Sequence, residues 1–247
     1  MRAILTYHSI DASGSVISID EATFRRHADW LAAGHVRVVS MPEMLSLENG
    51  ADAIALTFDD AFANFADTAW PILRDRGLPA TLFVVTGRVG TDNAWGDLDQ
   101  PGVPRLPLMD WDSIGTAREQ GVDIGSHTRT HRRLMDLGPA ALEDEIEGSA
   151  SLIAQRLGAR PMGFAYPYGA HGPGSEAVVR GAYRWACTTE LATLRAGGSP
   201  HRLPRLEAYY YRRPGALESW GTSGFGRRIA ITRLARRTRR WLVPASR

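Results

Sequence analysis

Two neighbouring acids, Asp59 and Asp60, close the apolar run that ends in Thr57-Phe58. Adjacent residues at a strand end can point in different directions. One carboxylate can then hold a cation while the other stays free to take a proton. Alone, such a pair is also an ordinary cap or turn. A second signal is Gly125-Ser126-His127-Thr128-Arg129-Thr130-His131. Two histidines four apart, just beyond a strand, can converge on one ion from a short helical turn, and imidazole is a common zinc ligand. The plain alternative is a pair of surface or capping histidines. The third signal is Phe164-Ala165-Tyr166-Pro167-Tyr168-Gly169, where a strand runs into a proline-fixed turn that can expose a backbone N–H. By itself it reads equally as a strand-to-loop turn with packed tyrosines.

The elements that must position these residues are short apolar runs rich in β-branched residues. They fall at Ala3–Tyr7, Val36–Val39, Ala53–Phe58, Ala80–Val85, Val122–Gly125, Met162–Ala165 and Arg184–Thr188, with a weaker one at Leu203–Glu207. Helical patterns lie between them. Ser18 with Glu21, and Ser40 with Glu43, have capping-box spacing. Pro42 and Pro139 suit a first helical turn, and Gly34, Gly77 and Gly158 suit helix ends. Seven or eight β-α repeats in 247 residues predict a parallel barrel or a doubly wound sheet. All three signals, and Tyr7-His8, then sit at the C-terminal ends of strands, where such folds place their sites. The patternless stretch from Gly87 to Pro107 reads as a functional loop. His27 and His35 read as surface residues, and Trp95 and Trp111 as core-packing aromatics with sugar stacking as the alternative.

Composition limits the function classes. With 44% hydrophobic and 23% charged residues the chain is an ordinary globular one. No run approaches the ~18 apolar residues of a membrane span. The start, Met1-Arg2-Ala3-Ile4, reads as an immediate strand, so a cytoplasmic location is expected. The single Cys187 excludes an intrachain disulfide and a thiolate cluster. All 29 basic residues are arginine, and eight of them lie from Arg227 onward, beyond the last acid, Glu218. The preceding residues therefore carry 21 arginines against 27 acids, a net of −6. An acidic body speaks against nucleic acid as a partner. On a helical wheel Ile231, Leu234, Thr238, Trp241 and Leu242 share one face and Arg233, Arg236, Arg237 and Arg240 the other. That is the pattern of peripheral contact with an anionic membrane through Arg227–Arg247. The alternative is a helix that docks its apolar stripe on the domain and leaves its arginines in water.

Thr57-Phe58-Asp59-Asp60, Ser126-His127-Thr128-Arg129-Thr130-His131 and Tyr166-Pro167-Tyr168-Gly169, in that order, resemble the motifs of the polysaccharide deacetylase family, the NodB-homology domain of carbohydrate esterase family 4. The resemblance covers roughly Ala3 to Leu206. It implies a distorted (β/α)7-8 barrel, a divalent metal that is usually Zn2+, and hydrolysis of N-acetyl groups from amino sugars. It assigns Asp60, His127 and His131 as metal ligands, Asp59 as general base and the Tyr168 backbone N–H as an oxyanion donor. An Asp-His-His set leaves positions open for catalysis. Two departures from the family pattern stand out. Ala165 occupies the position where many members carry an arginine, and Arg205, in Leu203-Pro204-Arg205, is the candidate to support Asp59 instead. The late Leu-x-x-His motif that supplies the acid is missing, leaving His8 or His201. Tyr7-His8 resembles the poly-N-acetylglucosamine deacetylase branch, so His8 is favoured. His171 is a further candidate to line the site.

The expected protein is thus a metal-dependent de-N-acetylase acting on an N-acetylated glycan or glycolipid. Residues 1–208 would form the catalytic domain, 209–226 a linker and 227–247 a basic amphipathic helix. Its rivals are a hydrolase of a small cyclic amide and a glycan-binding module that has lost catalysis.

Overall fold

The computed structural model describes residues 1–95 and 102–242, with side chains described up to residue 236. Seven strands form its frame: β1 (Arg2–Tyr7), β2 (Ala53–Phe58), β3 (Thr81–Val84), β4 (Asp123–Ser126), β5 (Gly163–Ala165), β6 (Trp185–Cys187) and β7 (Leu206–Glu207). They stand in the order β7-β1-β2-β3-β4-β5-β6 and every pairing is parallel. A two-residue strand, Arg37–Val38, adds to the start of β2. The curled sheet closes on itself through one bridge, Cys187 to Leu203. Around that bridge the Thr188 N–H donates to the Leu203 carbonyl at 2.8 Å, and the Leu203 N–H to that of Ala186 at 2.9 Å. This is the expected distorted barrel. Each strand foreseen from the apolar runs is present: β1 starts one residue earlier, β2 has the expected bounds, β4 is shifted by one residue, and the others are shorter by one to three.

The strands are apolar throughout because both faces are covered, as in parallel sheets flanked by helices. All six residues of β2 are buried. Alternate positions serve two clusters. Ile4, Ala53, Ala55, Phe83, Ala165, Trp185 and Cys187 fill one, while Leu5, Tyr7, Ile54, Leu56, Phe58 and Leu82 pack with the surrounding helices in the other. The first cluster needs glycines as well as large rings. A Cβ at Gly163 would come within 2.2 Å of the Trp185 ring, and one at Gly125 within 2.5 Å of Phe83.

The helices are α1 (Glu21–Ala32), α2 (Met41–Ser46), α3 (Trp70–Arg74), α4 (Trp111–Glu119), α5 (Pro139–Glu143), α6 (Ser149–Leu157), α7 (Pro173–Ala182) and α8 (Ser223–Leu242). A π-helical turn, Asp144–Gly148, joins α5 to α6. Ser40 caps α2 as its spacing predicts, and Gly158 ends α6 in the left-handed conformation. At α1 the cap is Asp20, whose carboxylate accepts from the Thr23 N–H at 2.8 Å; Ser18 lies in a short bridge with Ser9 instead. His27 is not a surface residue but fully buried. Its Nδ1 lies 3.1 Å from the Tyr7 hydroxyl and its Nε2 3.0 Å from the Tyr211 carbonyl.

The C-terminal third differs most from the sequence reading. Residues 209–226, expected as a linker, place Tyr211, Ala216, Leu217, Trp220 and Phe225 in the main core. Tyrosine and glycine there signal tight aromatic packing rather than a tether. α8 also begins within this stretch, at Ser223. It docks along positions 225, 228, 229, 232, 233 and 236, which recur at helical spacing; the first is buried and the others half-buried. Ile231 and Leu234 face outward, 69% and 64% exposed. Arg228, Arg233 and Arg236 therefore turn toward the body with Phe225 and Ile229, and Ile231 and Leu234 away from it, the reverse of the docked-stripe alternative. The side chains of Arg237, Thr238, Arg240, Trp241 and Leu242 lie outside the described residues, as does the remainder of Arg227–Arg247 beyond Leu242. Among the described residues no helix is long and apolar enough to cross a membrane.

Candidate active site

The loops that follow β1, β2, β4, β5 and β7 surround a cleft of about 340 Å³ lined by His8, Asp59, Asp60, His127, His131 and Tyr168, with Glu207 and Trp95 beside them. Strained backbone is concentrated here. Among the described residues, positive φ outside glycine occurs at Asp60 (72°), Ala61 (56°), Thr128 (69°), His131 (63°) and Tyr168 (58°), all in these loops. Left-handed backbone costs roughly 1–3 kcal/mol per non-glycine residue and persists only where the surroundings enforce it.

At Asp60 the unusual backbone turns the two adjacent carboxylates apart. Asp59 meets Arg205 in a two-pronged pair, Nη1 to Oδ1 at 2.6 Å and Nη2 to Oδ2 at 2.7 Å. Both side chains are buried, and Arg205 also donates to the Thr188 carbonyl and the Thr6 hydroxyl. Burial alone would raise the Asp59 pKa, but Arg205 and His127 outweigh it and hold the carboxyl well below the usual range. Asp60 points instead to the histidines. Its Oδ1 lies 3.5 Å from His127 Nε2 and 3.4 Å from His131 Nε2. That oxygen is buried and has no hydrogen-bond partner among the described residues. Burial pushes the Asp60 pKa up and drives that of His131 well down.

This arrangement fits a divalent cation. One ligand atom from each of Asp60, His127 and His131 lies within 4.8 Å of the others. The second nitrogen of each imidazole is already engaged, His127 Nδ1 with the Ala165 carbonyl at 2.7 Å and His131 Nδ1 with the Tyr168 hydroxyl at 3.1 Å. Both Nε2 lone pairs are thereby turned to the orphaned carboxylate oxygen, the arrangement that orients metal-ligating histidines. The histidine pair does not sit on a helical turn as expected. Residues 127–131 form an irregular bend, pinned where the His131 N–H donates to Thr128 Oγ1 at 3.0 Å.

His8 stands on the other side of Asp59, its Nε2 3.8 Å from Oδ2. Its Nδ1 faces Glu207 Oε1 at 3.7 Å, in ion-pair range but too far for a hydrogen bond. Burial would lower the His8 pKa; Glu207 first, then Asp59 and Asp60, reverse that and raise it to about 9. The Tyr168 N–H is not used by its own turn, whose hydrogen bonds run from Gly169 to Tyr166 and from Ala170 to Pro167. Gly169, also left-handed, lets that turn lie against Thr189, where a Cβ would come within 2.1 Å of Oγ1.

The structure thus gathers Asp59, Asp60, His127, His131, His8, Tyr168 and Arg205 in one place. His201 is elsewhere: its Nε2 meets the Tyr183 carbonyl at 3.0 Å. His171 stacks on Tyr166 and is not part of the cleft lining. Trp95, expected in the core, lies on the His131 ring, centroids 4.4 Å apart. The Gly87–Pro107 loop holds it there, although residues 96–101 of that loop lie outside the described residues. Trp111 packs against the core as expected.

Two participants were not foreseen, Glu207 beside His8 and a second acid under the histidine loop. Glu145, in the π-helical turn, is buried and accepts the N–H groups of Arg129 and Thr130, at 3.0 and 2.8 Å, and the Thr130 hydroxyl. It clamps the loop between the two histidines. A signal was available: Glu145 falls three residues after Leu142 and four before Ser149, on the buried face of its helix.

Comparison with known proteins places this geometry. The family model for polysaccharide deacetylase matches residues 47–182. The chain is 24% identical over 193 residues to the putative polysaccharide deacetylase YxkH of Bacillus subtilis, covering 76% of this chain and 64% of that protein. It is 21% identical over 195 residues to the poly-beta-1,6-N-acetyl-D-glucosamine N-deacetylase of Staphylococcus aureus, covering 76% and 67%. The chain thus spans about two thirds of the length of these curated relatives. Among solved structures, IcaB from Ammonifex degensii superposes with a TM-score of 0.72 at 22% identity over 94% of this chain and 96% of that one. The Streptococcus pyogenes deacetylase PplD in complex with acetate gives 0.71 at 21%, over 83% and 91%. At these identities the two structures establish a shared fold.

Proposed function

The chain belongs to the polysaccharide deacetylase family, and from that premise we propose that it is a metal-dependent hydrolase removing N-acetyl groups from an amino-sugar-containing saccharide. The observation that carries the proposal is the divergence of Asp59 and Asp60 into two environments. One acid is orphaned among histidines, ready for a cation, and its neighbour is held ionised by an arginine beside it. A divalent ion bound by Asp60, His127 and His131, zinc by the donor set, would polarise the acetyl carbonyl and make water nucleophilic at neutral pH.

The protein's own groups supply the remaining chemistry. Asp59, oriented by Arg205, takes the proton of the attacking water. His8, kept protonated by Glu207 and the nearby acids, faces the same point and donates a proton to the departing amine. General acid–base catalysis of this kind contributes about 10²–10⁴ in rate. The free N–H of Tyr168 offers a fixed dipole to the oxygen that becomes negative as the carbonyl is attacked. Trp95, over His131, provides an aromatic face for a sugar ring.

Ile231 and Leu234, exposed on the outer side of α8, support a lipid-linked saccharide as substrate, met at a membrane surface. Retention of the base and its arginine beside the metal ligands argues against a binding module, which needs neither. The test is metal content together with acetate release. The parent, refilled with zinc, should hold about one ion and free acetate from an N-acetylated amino sugar, and His131→Ala should lose both. Zinc bound with acetate released from no acetamido sugar, but ring amides opened, would overturn the proposal.

A further inference from the structure

The catalytic cleft receives one residue from α8: Arg236, whose guanidinium carbon lies 5.9 Å from the centroid of the Tyr210 ring. Its setting differs from those of the other arginines near the rim. Arg105 pairs with Asp92 at 2.6 Å and Arg233 with Glu190 at 3.0 Å. Among the described residues Arg236 has no carboxylate within ion-pair distance. The acids of the floor have counter-charges of their own, Asp59 in Arg205, Glu207 in His8 and Asp60 in the cation proposed above. A neutral glycan needs no cation at this rim. A negatively charged substrate supplies the counter-charge that Arg236 lacks.

We propose that Arg236 is an anion-binding residue of the cleft and that the saccharide deacetylated here carries a phosphate close to its acetamido sugar. This rests on the de-N-acetylase reading above. The planar guanidinium, backed by the Tyr210 face, is suited to a phosphate ester as a forked donor. The surroundings say what lies beyond the phosphate. Val16, 51% exposed, and Val103 line the same cleft as Arg236. An acyl or prenyl chain leaving the phosphate would pass along this apolar edge. A soluble sugar phosphate would share the arginine but not the edge.

The test uses the zinc-loaded full chain and three probes: N-acetylglucosamine, N-acetylglucosamine 1-phosphate, and the same sugar phosphate esterified to a short prenyl chain. Calorimetry needs no turnover. The parent should bind the phosphorylated sugar about tenfold or more tighter than the neutral one, as expected for a hydrogen-bonded charge pair. Arg236→Gln should erase that preference and Arg236→Lys restore part of it. Val16→Ser should weaken only the prenylated probe; equal effects on all probes assign the phosphate to a soluble sugar. Equal binding of phosphorylated and neutral sugar by the parent would overturn the proposal. Acetate release from the neutral sugar, followed in the same samples, reports separately on the de-N-acetylase reading.

Discussion

The motif loops after β2, β4 and β5 and the segment from Leu203 to Arg236 both feed the same cleft, by opposite means. The loops bring Asp59, Asp60, His127, His131 and Tyr168 in three short contiguous stretches and hold them with left-handed backbone at five non-glycine residues. The later segment brings Arg205, Glu207, Tyr210 and Arg236 one at a time, from a barrel seam, a 3-10 turn and a helix. Bond-breaking chemistry needs groups fixed within fractions of an ångström, so it is built on backbone that has few alternatives. Charge support and substrate choice act through longer side chains and tolerate looser placement.

The difference can be tested by substitution, beginning with the largest effect. Asp59→Asn should lower kcat by about 10²–10⁴ while zinc content, measured by atomic absorption, stays at the parental level. An equal loss of zinc would erase the distinction between the two acids. Next, Arg205→Met should destabilise the fold by about 3–5 kcal/mol in urea titrations, because it leaves the Asp59 charge buried and unpaired. Adding Asp59→Asn should recover much of that loss.

A third test lies outside the cleft. His27 is buried with its folded pKa lowered to about 4 by desolvation, against an ordinary value of 6.5. Between these values the unfolded chain binds the extra proton. Stability should therefore be full above pH 6.5 and fall by up to about 3 kcal/mol as pH drops toward 4. His27→Gln, which can still donate to Tyr211, should flatten that slope. The smallest effect is expected at Glu145→Gln. It keeps the side-chain shape but weakens the clamp on Arg129 and Thr130, and zinc affinity should fall about 10–100-fold in competition with a chelator. No change in affinity would mean that Thr128 and the backbone hold the histidines unaided.

The same contrast governs what could be read from the sequence. Strands such as Ala53–Phe58 announce themselves because burial on both faces requires unbroken apolar residues. The candidate ligand set came from the resemblance of its motifs to a known family, since nothing local ties Asp60 to His127 and His131, which the fold brings beside it. Arg205 could be suspected only from the absence of an arginine at Ala165, since nothing local to Leu203-Pro204-Arg205 says where its side chain goes. His27 was misjudged because a histidine satisfied at both nitrogens by tertiary partners looks, in sequence, like one on the surface. Helical periodicity separates Ile231 and Leu234 from Arg233 and Arg236, as α8 does, but cannot say which side docks. That depends on Tyr210 and Glu190, distant in sequence, which attract the arginine side.

The single bridge between Cys187 and Leu203 has a consequence for synthesis. β1 emerges from the ribosome first yet must wait for β7, its neighbour across the sheet, through some two hundred intervening residues. All three motifs are available well before then. Without the seam there is no Arg205 beside Asp59, so a nascent chain that has already gathered Asp60, His127 and His131 still lacks an oriented second carboxylate. The proposed hydrolysis would in this way wait until the last strand is in place.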